Sequence, residues 1–396
     1  MLKYIVLIAG IYNSISAVSA AQDFYQLPDE FSDFSLNRDI TVSYDDLDAL
    51  LELTVIDLGK SDRSKRNSQS SIGTRMKAHK NNDTALEANR FYFEEVTKSS
   101  LKDGFHKIRV SLESLPDEIS LNDLSLDEQL AYWLNLYNTA MLEKLISHYP
   151  VRNTEDLLFG DKSILEEEFI TVAGHQLSLN DIQQNIVFKK FGKKKVIVMY
   201  GFYQGNIGSP NIRSEAYKGS KVYHQLAENG EEFVNSNRGV MIKNKDRVYV
   251  SKYFDQTKVL FDDFEKDLRA HLIDYAESPI NSDIKYAKRF NVDIENWNIT
   301  DLYGSERVFG AGTATNPAAM LNAVVDNSAS PVQRGEGANS GIGATNLGFL
   351  SDSITAHTTD YGRFSPEVLQ KIKSLNLKKK DNSGSVKIKD LEDKKQ

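Results

Sequence analysis

Apolar positions recur at helical spacing through much of the first half of the chain, then give way to alternating and β-branched runs. Tyr44 to Leu58 places Leu47, Leu50, Leu51, Leu53 and Val55 on one side, which predicts a helix. Leu86 to Thr97 and His106 to Leu115 read as two more. The clearest signal is Ser125-Leu-Asp-Glu128, a capping box, followed by helical periodicity to His148 just before Pro150. Phe169 to Ala173 and Gln176 to Leu179 flank Gly174-His175 and predict a hairpin. Asn180 to Phe191 predicts a short helix, and Lys195 to Tyr203 (KVIVMYGFY) a buried strand. Tyr217 to Asn235 is helical in pattern. Val240 to Lys243 and Arg247 to Tyr253 alternate around Asn244-Lys245-Asp246, a second hairpin. Phe261, Phe264, Leu268, Leu272 and Tyr275 mark a helix ending near Ala276.

These elements predict an α+β fold: a helical N-terminal part, then a central antiparallel or mixed sheet packed on the long helix after Ser125. The expected core includes Leu130, Trp133, Leu134, Tyr137, Met141, Val196, Val198, Phe261 and Phe264.

The ends of the chain differ from this middle. Lys3, the apolar run Tyr4 to Ile11 and Val18-Ser19-Ala20 match a secretory leader cut after Ala20. That run is well short of the roughly 20 residues needed to span a bilayer, and no later segment reaches that length. The expectation is a periplasmic or secreted protein without a transmembrane segment once residues 1–20 are removed. Residues 21–120 form a helical N-terminal region that includes a basic, serine-rich loop at 59–82, and residues 121–278 form the α+β domain. Residues 279–309 are an extension, 310–348 a Gly/Ala/Ser/Asn-rich loop or linker, and 349–396 a short helix and charged tail. The basic loop reads either as solvated chain or as a surface for an anionic polymer.

Composition narrows the chemistry. The 396 residues carry 56 acidic against 48 basic side chains, a net charge of −8, so a nucleic-acid partner is not expected. There is no cysteine, which removes disulfides, thiol catalysis and thiolate metal sites. The seven histidines (His79, His106, His148, His175, His224, His271 and His357) form no H-x-x-x-H or H-x-H pair, and no metal or cofactor is expected. Glu166 to Glu168 and Asp262-Asp263 read as solvated faces.

The long helix is the most informative stretch. Glu128, Asn135 and Asn138 lie near one face, with Trp133, Tyr137 and Met141 on another. Amides inside so apolar a helix are costly unless bonded. Two readings stand: they tie neighbouring backbone, or they line a pocket and orient a ligand.

Leu124-Ser-Leu-Asp-Glu-Gln-Leu-Ala-Tyr-Trp-Leu-Asn-Leu-Tyr-Asn138 resembles the signature helix of the domain-of-unknown-function family DUF547. The order downstream is similar too: His148-Tyr-Pro, Leu177-Ser-Leu-Asn-Asp-Ile182, Gly205-Asn-Ile-Gly-Ser209-Pro210, Glu215-Ala-Tyr217, Ser251-Lys-Tyr-Phe254 and Asp262-Asp-Phe264. The resemblance covers roughly residues 120 to 270. It implies no established activity. Members usually carry a strand of the form H-F-A-L-x-C-G-x-x-S-C-P-P. Aligned on the proline, this chain has Met199 for the histidine, Gln204 for the first cysteine and Ser209 for the second. Chemistry that needs a thiolate or that imidazole is lost here.

Three functions remain. The first is a binding protein for a small-molecule, peptide or polymer ligand, held in a degenerate catalytic-like pocket by Glu128, Trp133, Asn135, Tyr137, Asn138, Gln204, Asn206 and Lys252. The second is a serine hydrolase with Ser209 as nucleophile and His224 as base. The third is an envelope scaffold that uses the basic or glycine-rich segment.

Overall fold

The helix after Ser125 forms as its capping box predicts. It spans Leu126–His148, and the Ser125 hydroxyl accepts the Glu128 N–H at 3.3 Å. It is apolar almost all round, so it is buried along most of its length, from Glu128 to Leu142, with its last turn exposed. A computed structural model describes residues 27–61, 63, 84, 87–192, 195–243, 246–302, 363, 367–368 and 370–375. The expected leader, nearly all of the basic stretch and the glycine-rich segment at 310–348 lie outside them.

Leu101–Glu113 packs along one flank of the central helix. Asp181–Gly192, a wide π-wound helix, and the 3₁₀ segment Val196–Gly201 cover another. Val222–Asn235 lies against the 3₁₀ segment, and Phe264–Tyr275 lies against Val222–Asn235. The sheets are small, so the fold is α+β with helices dominant. The largest has three strands. Val240–Lys243 and Arg247–Ser251 pair antiparallel, with Val240 opposite Val250. Arg289–Ile294 adds in parallel on the other side of Arg247–Ser251, and its crossover carries Phe264–Tyr275 and Ile280–Tyr286. This mixed sheet leans on Val222–Asn235 and Ile280–Tyr286.

One hydrophobic cluster runs from Phe31, Ile40 and Tyr44 through the central helix to Val368 and Ile372. The N-terminal region therefore shares its core with the rest. Leu130, Trp133, Leu134, Tyr137, Met141 and Val198 are fully buried as expected, while Val196, Phe261 and Phe264 are partly buried at its edge. Among the described residues no helix is long and apolar enough to cross a membrane.

Several expected elements differ. The KVIVMYGFY strand is a 3₁₀ turn. A buried strand needs a neighbour to take its backbone groups, and here side chains take them. Asn229 Nδ2 donates to the Tyr200 carbonyl (3.1 Å), Asn138 bonds Gly201 and Tyr203, and the Tyr253 hydroxyl donates to the Met199 carbonyl. The helix expected over Leu86 to Thr97 is a two-residue strand, Arg90–Phe91, paired with Val55–Ile56, and then a helix over Phe93–Lys98. Ala88, at φ 71°, turns the chain out of the helical region. The helix expected from Tyr217 starts at Val222, because side chains hold the preceding backbone. The first hairpin turns at Ala173-Gly174 rather than at Gly174-His175, with Val172 opposite His175.

Candidate functional site

The polar face of the central helix is a set of structural clamps. Asn135 brackets Tyr217: Oδ1 accepts its N–H and Nδ2 donates to its carbonyl, both at 2.8 Å. Asn138 spans the 3₁₀ turn, donating to the Gly201 carbonyl (2.8 Å) and accepting the Tyr203 N–H (3.0 Å). Trp133 and Tyr137 sit wholly in the core. The space between Leu47, Leu51, Asn135, Asn138 and Tyr217 has a volume of about 10 Å³, the lower limit for one water. These residues therefore face no ligand-sized pocket.

Glu128 is different. It is buried, and among the described residues its carboxylate accepts the Val42 N–H, at 3.4 Å. Burial pushes its pKa up to about 7, with Asp127 adding to the rise and the Val42 N–H opposing it. The buried Tyr44 side chain is within its electrostatic reach. Gly219 packs directly over the carboxyl group.

The loop Gly205-Asn-Ile-Gly-Ser209 follows the 3₁₀ turn. Gly205 takes φ 82°, a backbone that favours glycine. Buried Arg238 donates to the carbonyls of Ile207 (3.3 Å) and Ser209, to Asn211 Oδ1 (3.0 Å) and to Glu232. The Ser209 hydroxyl is sealed in the loop, donating to the Asn206 carbonyl (2.9 Å) and accepting the Gln204 N–H (3.3 Å). His224 stands on the surface, 74% exposed, and pairs with Glu228 at 3.3 Å. The expected nucleophile and base are thus bonded to other partners. His271 is partly buried, which lowers its pKa to about 4, and it meets the Tyr200 hydroxyl at 3.1 Å.

The other expected residues do converge. Gln204, Asn206 and Lys252 line one narrow cleft with Gly208, Ser251, Gln256, Glu295, Asn296 and Trp297. Its far wall is the chain after Ile294, strapped on by backbone bonds. Ile207 N–H donates to Asn298 (3.0 Å), Gly208 to Asn296 (2.9 Å), Thr300 to Gly205 (2.9 Å) and Lys252 to Ile294 (2.8 Å). Gln204 Nε2 is used on Gln256 Oε1 at 2.7 Å. Three buried polar atoms of the lining have no partner among the described residues: Gln204 Oε1, Asn206 Oδ1 and Trp297 Nε1. Such atoms are uncommon in folded proteins because each costs desolvation without return. At the mouth, Lys252 and Glu295 form an ion pair with both side chains nearly half exposed. Phe159 packs edge-on to the Trp297 ring at 5.4 Å. The walls leave no gap the size of a water. Among the described residues no cluster of metal-binding side chains occurs.

Sequence reasoning missed Gln256, Glu295, Asn296 and Trp297. The available signal was tryptophan itself: the chain has two, and Trp297 falls in a stretch without strong periodicity.

Residues 121–234 match the model of the family described as "Protein of unknown function, DUF547". The expected resemblance reached to about 270, so Ser251 to Phe254 and Asp262 to Phe264 lie beyond the matched segment. Gln204, Asn206 and Gly208 fall within it; the opposite wall of the cleft does not. No curated protein and no solved structure matches the chain.

Proposed function

We propose that this is an exported binding protein whose segments 204–208 and 294–297 part from their closed arrangement to hold a small polar solute, on which it performs no chemistry. The observation that carries this reading is that Gln204, Asn206 and Trp297, which line one cleft, each carry a buried polar atom with no partner among the described residues. A ligand that completes those bonds removes a penalty of about 1–3 kcal/mol per group. The Lys252–Glu295 pair at the mouth is exposed, so opening it costs about 0–1 kcal/mol.

The hydrolase reading draws no support from the positions of Ser209 and His224, each bonded elsewhere. Export is supported by Lys3, the apolar run Tyr4 to Ile11 and Val18-Ser19-Ala20, and it suits a chain without cysteine.

The test is thermal melting of the protein against a panel of amino acids, sugars, polyols and short peptides, with Asn206→Ala beside it. A ligand at 100 times its Kd stabilises by about 2.7 kcal/mol. At least one class is expected to raise the melting temperature of the natural chain and not of the variant. No shift with any class removes the reading.

A further inference from the structure

We propose that the open edge of the three-stranded sheet pairs with the same edge of a second copy of this chain. Arg289–Ile294 of one copy runs antiparallel to Arg289–Ile294 of the other, about a two-fold axis at Asn291.

The edge is available. Arg289–Ile294 is the outermost strand, and among the described residues no strand or bridge pairs with its far side. The Arg289 N–H donates to the Asp246 carbonyl at 3.1 Å, so its backbone faces Arg247–Ser251. Alternation along the strand then turns the N–H and C=O of Phe290 and Val292 outward. The register irregularity between Val250 and Ser251 falls at Asp293, so the edge is regular up to that residue. A row of unpaired backbone groups is a template for another strand.

The side chains select a second copy as the occupant. Proteins guard such an edge with proline or with charges that repel an approaching strand. This strand has no proline, and its charges do the opposite. The run Lys288-Arg-Phe-Asn-Val-Asp-Ile-Glu295 is basic at its start and acidic at its end. Antiparallel pairing about Asn291 sets Arg289 opposite Asp293 of the second copy and Phe290 opposite its Val292. The two-fold axis repeats both pairs. Opposite charges and aromatic–β-branched contacts are favourable cross-strand pairs. Arg289 and Asp293 are exposed and Phe290 and Val292 half-buried, so all four side chains are within reach of a partner. Parallel pairing would set like charges together. A foreign peptide would need the pattern that this strand already carries. So short a strand buries little area, which makes the dimer weak and dependent on concentration.

The test is sedimentation equilibrium of the full chain from low to high micromolar concentration. The natural chain is expected to show a reversible monomer–dimer equilibrium, weakened by salt because the charge pairs are exposed. Arg289→Asp places acids opposite each other and Asp293→Arg places bases opposite each other. Each variant alone should dimerise more weakly by about tenfold or more. Mixed together, the two variants restore both complementary pairs and should dimerise as the natural chain does. Val292→Pro removes an outward N–H that the monomer does not use, so it should abolish the dimer with melting unchanged. A natural chain that stays monomeric at every concentration overturns the proposal. A dimer indifferent to all three substitutions sits on another surface and overturns it too. Single variants that are weakened and do not recover on mixing overturn the antiparallel pairing.

Discussion

Asn135 holds the main chain of Tyr217 at both ends, through bonds of 2.8 Å to its N–H and its carbonyl. The clamp joins the central helix to the turn that leads into Val222–Asn235. Asn135→Ala strips partners from two buried backbone groups, each worth about 1–3 kcal/mol when orphaned. The expected cost is about 2–5 kcal/mol in urea unfolding. Asn135→Asp keeps the acceptor and loses only the donor, so it should fall between. Below their melting points both variants should bind ligand at the cleft as the natural chain does. Loss of binding without loss of stability would return Asn135 to a ligand-orienting role.

The first hairpin turns through Ala173 and Gly174, at φ 49° and 83°. Left-handed backbone at both central positions is the type I′ geometry, for which Asn-Gly is the favoured pair. Alanine at the first position costs about 1–2 kcal/mol. Ala173→Asn should stabilise by about 0.5–1 kcal/mol and raise the melting temperature by about 1–3 °C. An unchanged or lower value would show that the turn is not limiting.

Where backbone bonds were local, the sequence was legible. Ser125 and Glu128 marked the start of the central helix, and the alternation of Val240 to Lys243 against Arg247 to Ser251 marked the main hairpin. Local pattern failed where distant side chains supply backbone partners. KVIVMYGFY has strand composition but folds as a 3₁₀ turn, because Asn138, Asn229 and Tyr253 come from remote elements to satisfy it. The same holds for Tyr217 to Lys221, kept out of the helix by Asn135 and Gln225. The third strand, Arg289–Ile294, pairs in parallel across a crossover of more than thirty residues, which no local signal announces. Of the expected ligand set, the motif residues Asn135 and Asn138 are clamps. Gln204, Asn206 and Lys252 do meet, because the strap Ile294 to Thr300 brings the opposite wall to them.

Ser209 is expected to be inert. Its hydroxyl is committed to the Asn206 carbonyl, and no imidazole among the described residues bonds it. A serine-reactive phosphonate should leave the intact mass unchanged, and Ser209→Ala should lose about 1 kcal/mol of stability for the missing bond. A single adduct that disappears in the variant would reinstate the hydrolase.

Glu128 should make stability depend on pH. Its pKa rises from 4.5 to about 7 on folding because burial disfavours the charge. The folded protein then binds this proton more tightly than the unfolded chain does. The stabilising contribution is complete below about 4.5 and is lost as pH rises through about 7. Its size is about 3 kcal/mol from the shift. Between pH 5 and 8 the natural chain should therefore lose stability relative to Glu128→Gln, which keeps the neutral form at every pH. Parallel curves for the two proteins would show that the carboxyl is already ionised at low pH.

The same carboxyl explains Gly219. A Cβ at this position would overlap the Glu128 carboxyl carbon and Oε1, although the backbone there needs no left-handed φ. Overpacking of this kind costs about 1–3 kcal/mol, so Gly219→Ala should lower stability by that amount. The cause is the Glu128 side chain and not the glycine backbone. Shortening it in the background Glu128→Ala should therefore make Gly219→Ala close to neutral. The coupling between the two substitutions should reach about 0.5–3 kcal/mol, the range for residues in contact. Additive effects in urea unfolding would place the strain elsewhere and show that the carboxyl can move aside. In that case its low exposure would not survive the addition of one methyl group, and the pH dependence argued above should weaken in Gly219→Ala as well.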